Sequence, residues 1–105
     1  IKASAPEAYW DYLDKYAPVM TAHSLTIPML FLQGERDYQV TMQDFAMWKL
    51  GMFGKPNVTF RSYPSLNHCF MEGTGKSTPM EYNHPGRVSE KVIKDIAEWA
   101  IHRNE

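Results

Sequence analysis

Ile27-Pro28-Met29-Leu30-Phe31-Leu32 is an unbroken apolar run that stops at Gln33-Gly34. Nothing else in the chain restricts its fold as much. The run's length and its glycine stop favour a strand buried on both faces, which is the condition of strands in a parallel sheet. Such a strand needs neighbours on both sides.

The segments that follow supply one of them. Thr41 with Asp44 three residues on resembles a capping arrangement for a helix from about 42 to 53, with Phe45, Trp48 and Met52 as its apolar stripe. Beyond Gly54-Lys55-Pro56-Asn57, Val58-Thr59-Phe60-Arg61-Ser62-Tyr63 alternates as a strand does and is ended by Pro64. A closing helix near Val88 to Arg103 places Val88, Val92, Ile96 and Trp99 on one face. Strand, helix, strand, loop, helix is the βαβα order of an α/β fold, with parallel strands flanked by helices over residues 26–105. Residues 1–25 read as short helices broken by prolines: one led by Pro6 with Tyr9, Trp10 and Leu13 on a face, and a second turn from Val19 to Ser24. Two strands make a poor sheet. The second neighbour of the apolar strand must come from an unrecognised strand, another copy of the chain or a further portion of the protein.

At 105 residues the chain suffices for one domain or part of one. Charged residues at 22% and apolar ones at 44% make a globular composition. A net charge of -1 offers no electrostatic footprint for nucleic acid or an anionic bilayer. No apolar run approaches the roughly 20 residues of a membrane span. Cys69, the one cysteine, excludes an internal disulfide and leaves the compartment open. The chain begins at Ile1 with no signal-like segment, as expected of a trimmed or mature product or a piece of something longer.

Two residues stand where open parallel sheets place their chemistry, beyond the carboxyl ends of the strands. Asp37 follows the first strand after the turn Gly34-Glu35-Arg36, and His68 follows the second after Pro64-Ser65-Leu66-Asn67. Adjacent strands would bring them together. A carboxylate that takes the Nδ1 proton of an imidazole fixes its tautomer and leaves the other nitrogen to act as a base. An Asp and a His after two strands are also ordinary turn residues.

The longer context separates these readings. Ile27 to Asp37 resembles the acid-bearing strand and turn of the α/β-hydrolase family, and Leu66-Asn67-His68-Cys69-Phe70 is similar to its histidine loop. The closing helix matches the family's last helix, so the resemblance covers about residues 27 to 103. It is nearest to the bacterial esterase and dienelactone-hydrolase-like branch. The resemblance implies that Asp37 is the triad acid and His68 the triad base of a hydrolase acting on an ester, thioester or amide. It implies a small acyl substrate and no metal or organic cofactor. The segment at 6–24 would correspond to the variable region that often covers the substrate as a lid.

One family element is missing. No G-x-S-x-G pentapeptide occurs, and chain order in this family is Ser, acid, His, so the resemblance implies that the nucleophile and the oxyanion hole would lie upstream of Ile1. Local substitutes are poor. Cys69 adjoins His68, but neighbouring side chains diverge, and a buried structural thiol is the expectation. Ser65 and Ser77 lie in loops without an elbow signature. His68, Cys69 and His84 match no common zinc spacing. Tyr38, Gln39, Cys69 and Glu72 are candidate pocket-lining residues, with solvated turn residues as the plain alternative. Met29, Met42, Met47, Met52, Trp48 and Trp99 read as core.

Two other classes remain. A non-catalytic dimerising or ligand-binding α/β module would keep the strands without the chemistry. Gly75-Lys76-Ser77-Thr78 resembles the end of a phosphate-binding loop, but that loop needs glycine five residues before its Gly-Lys pair, where Phe70 stands. Gly73 to Ser77 is therefore expected to be a flexible linker from the histidine to the last helix. The isolated chain is expected to be inactive and to self-associate through an exposed sheet edge.

Overall fold

The computed structural model describes residues 7, 8 and 18–102. Its elements are α1 (Pro18–His23), β1 (Met29–Gly34), α2 (Met42–Gly51), β2 (Val58–Tyr63), a 3-10 turn (Pro79–Asn83) and α3 (Glu90–His102). The helix expected around Pro6 to Leu13 falls largely outside the described residues.

β1 and β2 pair in parallel, in register from Met29 opposite Val58 to Gly34 opposite Tyr63. Among the described residues the chain is thus an α/β unit with a two-stranded parallel sheet. Pleating sends alternate side chains to opposite faces. Phe31 and Phe60 share one face as register partners, with ring centroids 4.8 Å apart. α2 covers that face, bringing Trp48 within 5.1 Å of Phe31 and Phe45 within 5.6 Å of Phe60. On the opposite face Leu32 and Tyr63 pack with Leu66, Phe70 and Val92 of α3. The Tyr63 hydroxyl donates to Asp95 Oδ2 at 2.7 Å, tying the end of β2 to α3. Burial, reinforced by that bond, lifts the phenol to about 12.

The ends of the helices follow from local chemistry. Asp44 accepts a hydrogen bond from the Thr41 backbone N–H at 2.9 Å, which starts α2 at Met42. Ser89 Oγ accepts from the Lys91 N–H at 3.2 Å, so α3 begins at Glu90 rather than at 88. Val88 is left outside the helix and exposed. At the far end of α2, a Cβ on Gly51 would lie 2.2 Å from Val19 Cγ1, so the missing side chain lets α1 approach.

Two packing expectations need correction. β1 is only half-buried from Met29 to Leu32, because among the described residues it pairs on one edge alone. Met52 is 2% exposed, but Met42, at the first turn of α2, faces solvent.

Candidate active site

Parallel pairing brings the carboxyl ends of both strands to one edge, and the two following turns interlock there. The Glu35 N–H donates to Tyr63 O at 2.9 Å and the Arg36 N–H to Leu66 O at 3.0 Å. At Gly34 the contact is closest: a Cβ there would sit 2.3 Å from Asn67 O and 2.5 Å from Leu66 O. Only glycine fits. The stop signal of the strand is also the seat of the histidine loop.

Asp37 is held from two sides. Its Oδ1 accepts the backbone N–H groups of Gln39 at 2.8 Å and Val40 at 3.0 Å, as aspartate does in turns. Its Oδ2 lies 2.8 Å from His68 Nδ1. The carboxylate is 5% exposed and the imidazole 41%. An ionised carboxylate only accepts, so Nδ1 carries the proton in this bond and Nε2 is left as an acceptor on the open side. The arrangement suits a base that takes a proton from a group approaching over the sheet edge.

His68 is presented by a tight loop. Phe70 N–H donates to Asn67 O at 3.0 Å, and Phe70 itself has φ of 58°, uncommon for a residue with a side chain. Its ring is held edge-on to Tyr63, with centroids 6.4 Å apart. Asn67 is fully buried. Its Oδ1 accepts from the N–H groups of Cys69 and Met71, and its Nδ2 donates to Glu81 Oε1 at 2.7 Å.

Beneath the Asp–His pair lies a second charged pair. Arg36 is 7% exposed and meets Glu81 with both terminal nitrogens, at 2.9 and 2.8 Å. Its Nε donates to Ser65 O at 2.8 Å, and its other bonds reach Met71 O and Gly75 O. The bond from Arg36, aided by Asn67, holds the Glu81 carboxyl well below its ordinary 4.5, at about 2. The same bond raises the guanidinium further above its ordinary value. No sequence signal marks this group, since Arg36 looks like any turn residue and Glu81 stands 45 positions away.

The other candidates separate. Tyr38 and Gln39 face Tyr82, the rings 6.4 Å apart and the Tyr82 hydroxyl 3.5 Å from Gln39 Oε1. Burial, then the nearby Cys69, Tyr38 and Asp37, push the Tyr82 phenol up. Tyr82 therefore joins the surroundings of the acid, a position no sequence signal marked. Cys69 is exposed, contrary to the expected buried thiol, and neighbours Tyr82. Glu72 lies apart, lining an open cleft with His84, Arg87 and Lys91. Ser77 is buried rather than a loose loop residue. The Gly73–Ser77 linker is not free either: a Cβ on Gly73 would strike the Arg36 guanidinium, and the Ser77 N–H donates to Arg36 O. Among the described residues, no group of three or more metal-ligating side chains forms, and no helix is long and apolar enough to cross a membrane.

Over 97 residues, 92% of this chain, the sequence is 43% identical to Esterase EstD of Thermotoga maritima. The chain spans 24% of that protein's length. The similarity supports an esterase-like relationship. No family model and no solved structure matches the chain.

Proposed function

We propose that this chain supplies the acid and the base of a serine-hydrolase triad within a longer protein of the α/β-hydrolase fold, nearest its dienelactone-hydrolase-like branch. Asp37 is the acid and His68 the base. The observation that carries the reading is the 2.8 Å contact between Asp37 Oδ2 and His68 Nδ1 at the carboxyl ends of adjacent parallel strands. Similarity to an esterase along nearly the whole chain supports it.

In this reading, a serine outside the chain attacks the acyl carbon of an ester, thioester or amide while His68 Nε2 accepts its proton. Asp37 holds the ring and stabilises the imidazolium. His68 then protonates the leaving group, and water, deprotonated by the same nitrogen, hydrolyses the acyl-enzyme. The test is turnover of an activated aryl ester by the complete protein and by the isolated chain. The complete protein should lose activity on His68→Ala, and the isolated chain should have none. Full activity of the His68→Ala protein would overturn the reading. Turnover by the isolated chain that depends on His68 would overturn the assignment of the nucleophile to an outside serine.

A further inference from the structure

Asp37 and His68 each follow, in sequence, a residue that turns the other way. Arg36 precedes the acid, Asn67 precedes the base, and both inward side chains end on one carboxylate, that of Glu81. We propose that Glu81 is a positioning residue for the Asp37–His68 pair, acting through Arg36 and Asn67. This rests on the reading of that pair as acid and base.

The geometry gives Glu81 two grips on the site. Through Arg36 it fixes the residue next to the acid, in a bidentate pair that resists rotation. Through Asn67 Nδ2 it fixes the residue next to the base. Arg36 also spans the histidine loop from Ser65 O on one side of His68 to Met71 O on the other. Asn67 Oδ1, meanwhile, takes the N–H groups of Cys69 and Met71, just beyond His68. The acid turn and the histidine loop are therefore registered against each other by one carboxylate beneath them. With Gln in place of Glu81, one oxygen can still serve Asn67, but Arg36 has no counter-charge and one of its terminal nitrogens faces an amide NH2, donor to donor, so the spacing above them relaxes.

The experiment follows the far-downfield proton resonance of the His68 Nδ1–H bond in the complete protein, assigned by its disappearance in Asp37→Asn. Glu81→Gln, nearly the same shape without the charge, should abolish that resonance in a protein that still folds. It should also lower kcat by about 10²-fold with KM little changed, as a displaced catalytic group does. Asn67→Asp keeps the acceptor for Cys69 and Met71 but faces Glu81 with a like charge, and should act in the same direction. It carries the decision if Glu81→Gln does not fold. Tyr63→Phe, which removes a bond to Asp95 elsewhere, should leave the resonance in place and so separates positioning from general loss of stability. An unchanged resonance and unchanged kcat in folded Glu81→Gln or Asn67→Asp would overturn the proposal while leaving the acid–base reading intact. A missing resonance in the unmodified protein would overturn the pairing itself and the positioning role with it.

Discussion

Asp37 Oδ2 meets His68 Nδ1 at 2.8 Å while Asp37 Oδ1 is occupied by two backbone N–H groups. The carboxylate has no free oxygen with which to turn away. A residue that begins as a turn former ends as the fixed partner of an imidazole 31 positions distant.

Asp37→Asn tests what that fixity does. The amide can keep its bonds from Gln39 and Val40, but its N–H₂ then faces Nδ1 and selects the tautomer protonated at Nε2. Activity of the complete protein on an aryl ester should fall on the order of 10⁴-fold, as in triads whose acid is replaced by its amide. Thermal stability should change little. Activity within tenfold of the unmodified protein would show that Asp37 does not orient the base.

Gly34→Ala addresses the seat of the histidine loop. The added methyl would meet two backbone oxygens at 2.3 and 2.5 Å, and backbone does not yield as a side-chain end does. The substitution should cost about 3 kcal/mol in urea unfolding, toward the upper end of overpacking effects. Unchanged stability would mean that the loop is free to back away.

Tyr63 gives a prediction at alkaline pH. Its phenol is raised from 10.0 to about 12, so the folded state holds the proton more tightly than the unfolded state. Its contribution is complete below pH 10 and is lost as pH rises from 10 to 12. Tyr63→Phe should cost about 2 kcal/mol near neutrality, the value of a hydrogen bond to a charged acceptor. It should also flatten the alkaline limb of the stability curve, read by denaturant titration at each pH.

Glu81 acts at the other end. Its carboxyl is lowered from 4.5 to about 2, so the unfolded state binds the proton more readily. The stabilisation it brings is present above pH 4.5 and is lost as pH falls toward 2. The stability difference between the unmodified chain and Glu81→Gln should shrink across that window. A difference constant over the window would show that the carboxylate is not ion-paired in solution.

Assembly provides a fifth test. The two strands leave both outer edges of the sheet unpaired among the described residues, and Ile93, Ile96 and Ile101 of α3 are exposed. The isolated chain should self-associate. Sedimentation of a clean monomer at high concentration would contradict this.

The features legible in the sequence were those with a period or a breaker. The apolar run to Gly34, the alternation of 58–63 and the Thr41–Asp44 cap give strands and a helix at nearly their observed bounds. The start of α3 differs from the expected Val88 because Val88 continues the apolar period, while the Ser89 cap that ends it is a single hydroxyl. The Arg36–Glu81–Asn67 group was invisible for a different reason. Its members come from three separate segments, and burial of a charge leaves no trace in composition when the partner is also charged. The exposure of Cys69 leaves no signal in the sequence, because thiols are usually buried and the left-handed backbone at Phe70 in this loop is rare for such a residue.

The alternation of inward and outward neighbours at Asn67 and His68 has one more consequence. Consider the chain in which these two residues trade places. Mass, composition, net charge and the hydropathy of any window that spans both would be the same. Yet an imidazole would then be sealed against Glu81, and a carboxamide, which cannot serve as a base, would stand opposite Asp37. Screens that weigh residues by kind would score the two chains as equals. Only adjacency, the order of one pair of letters, separates them.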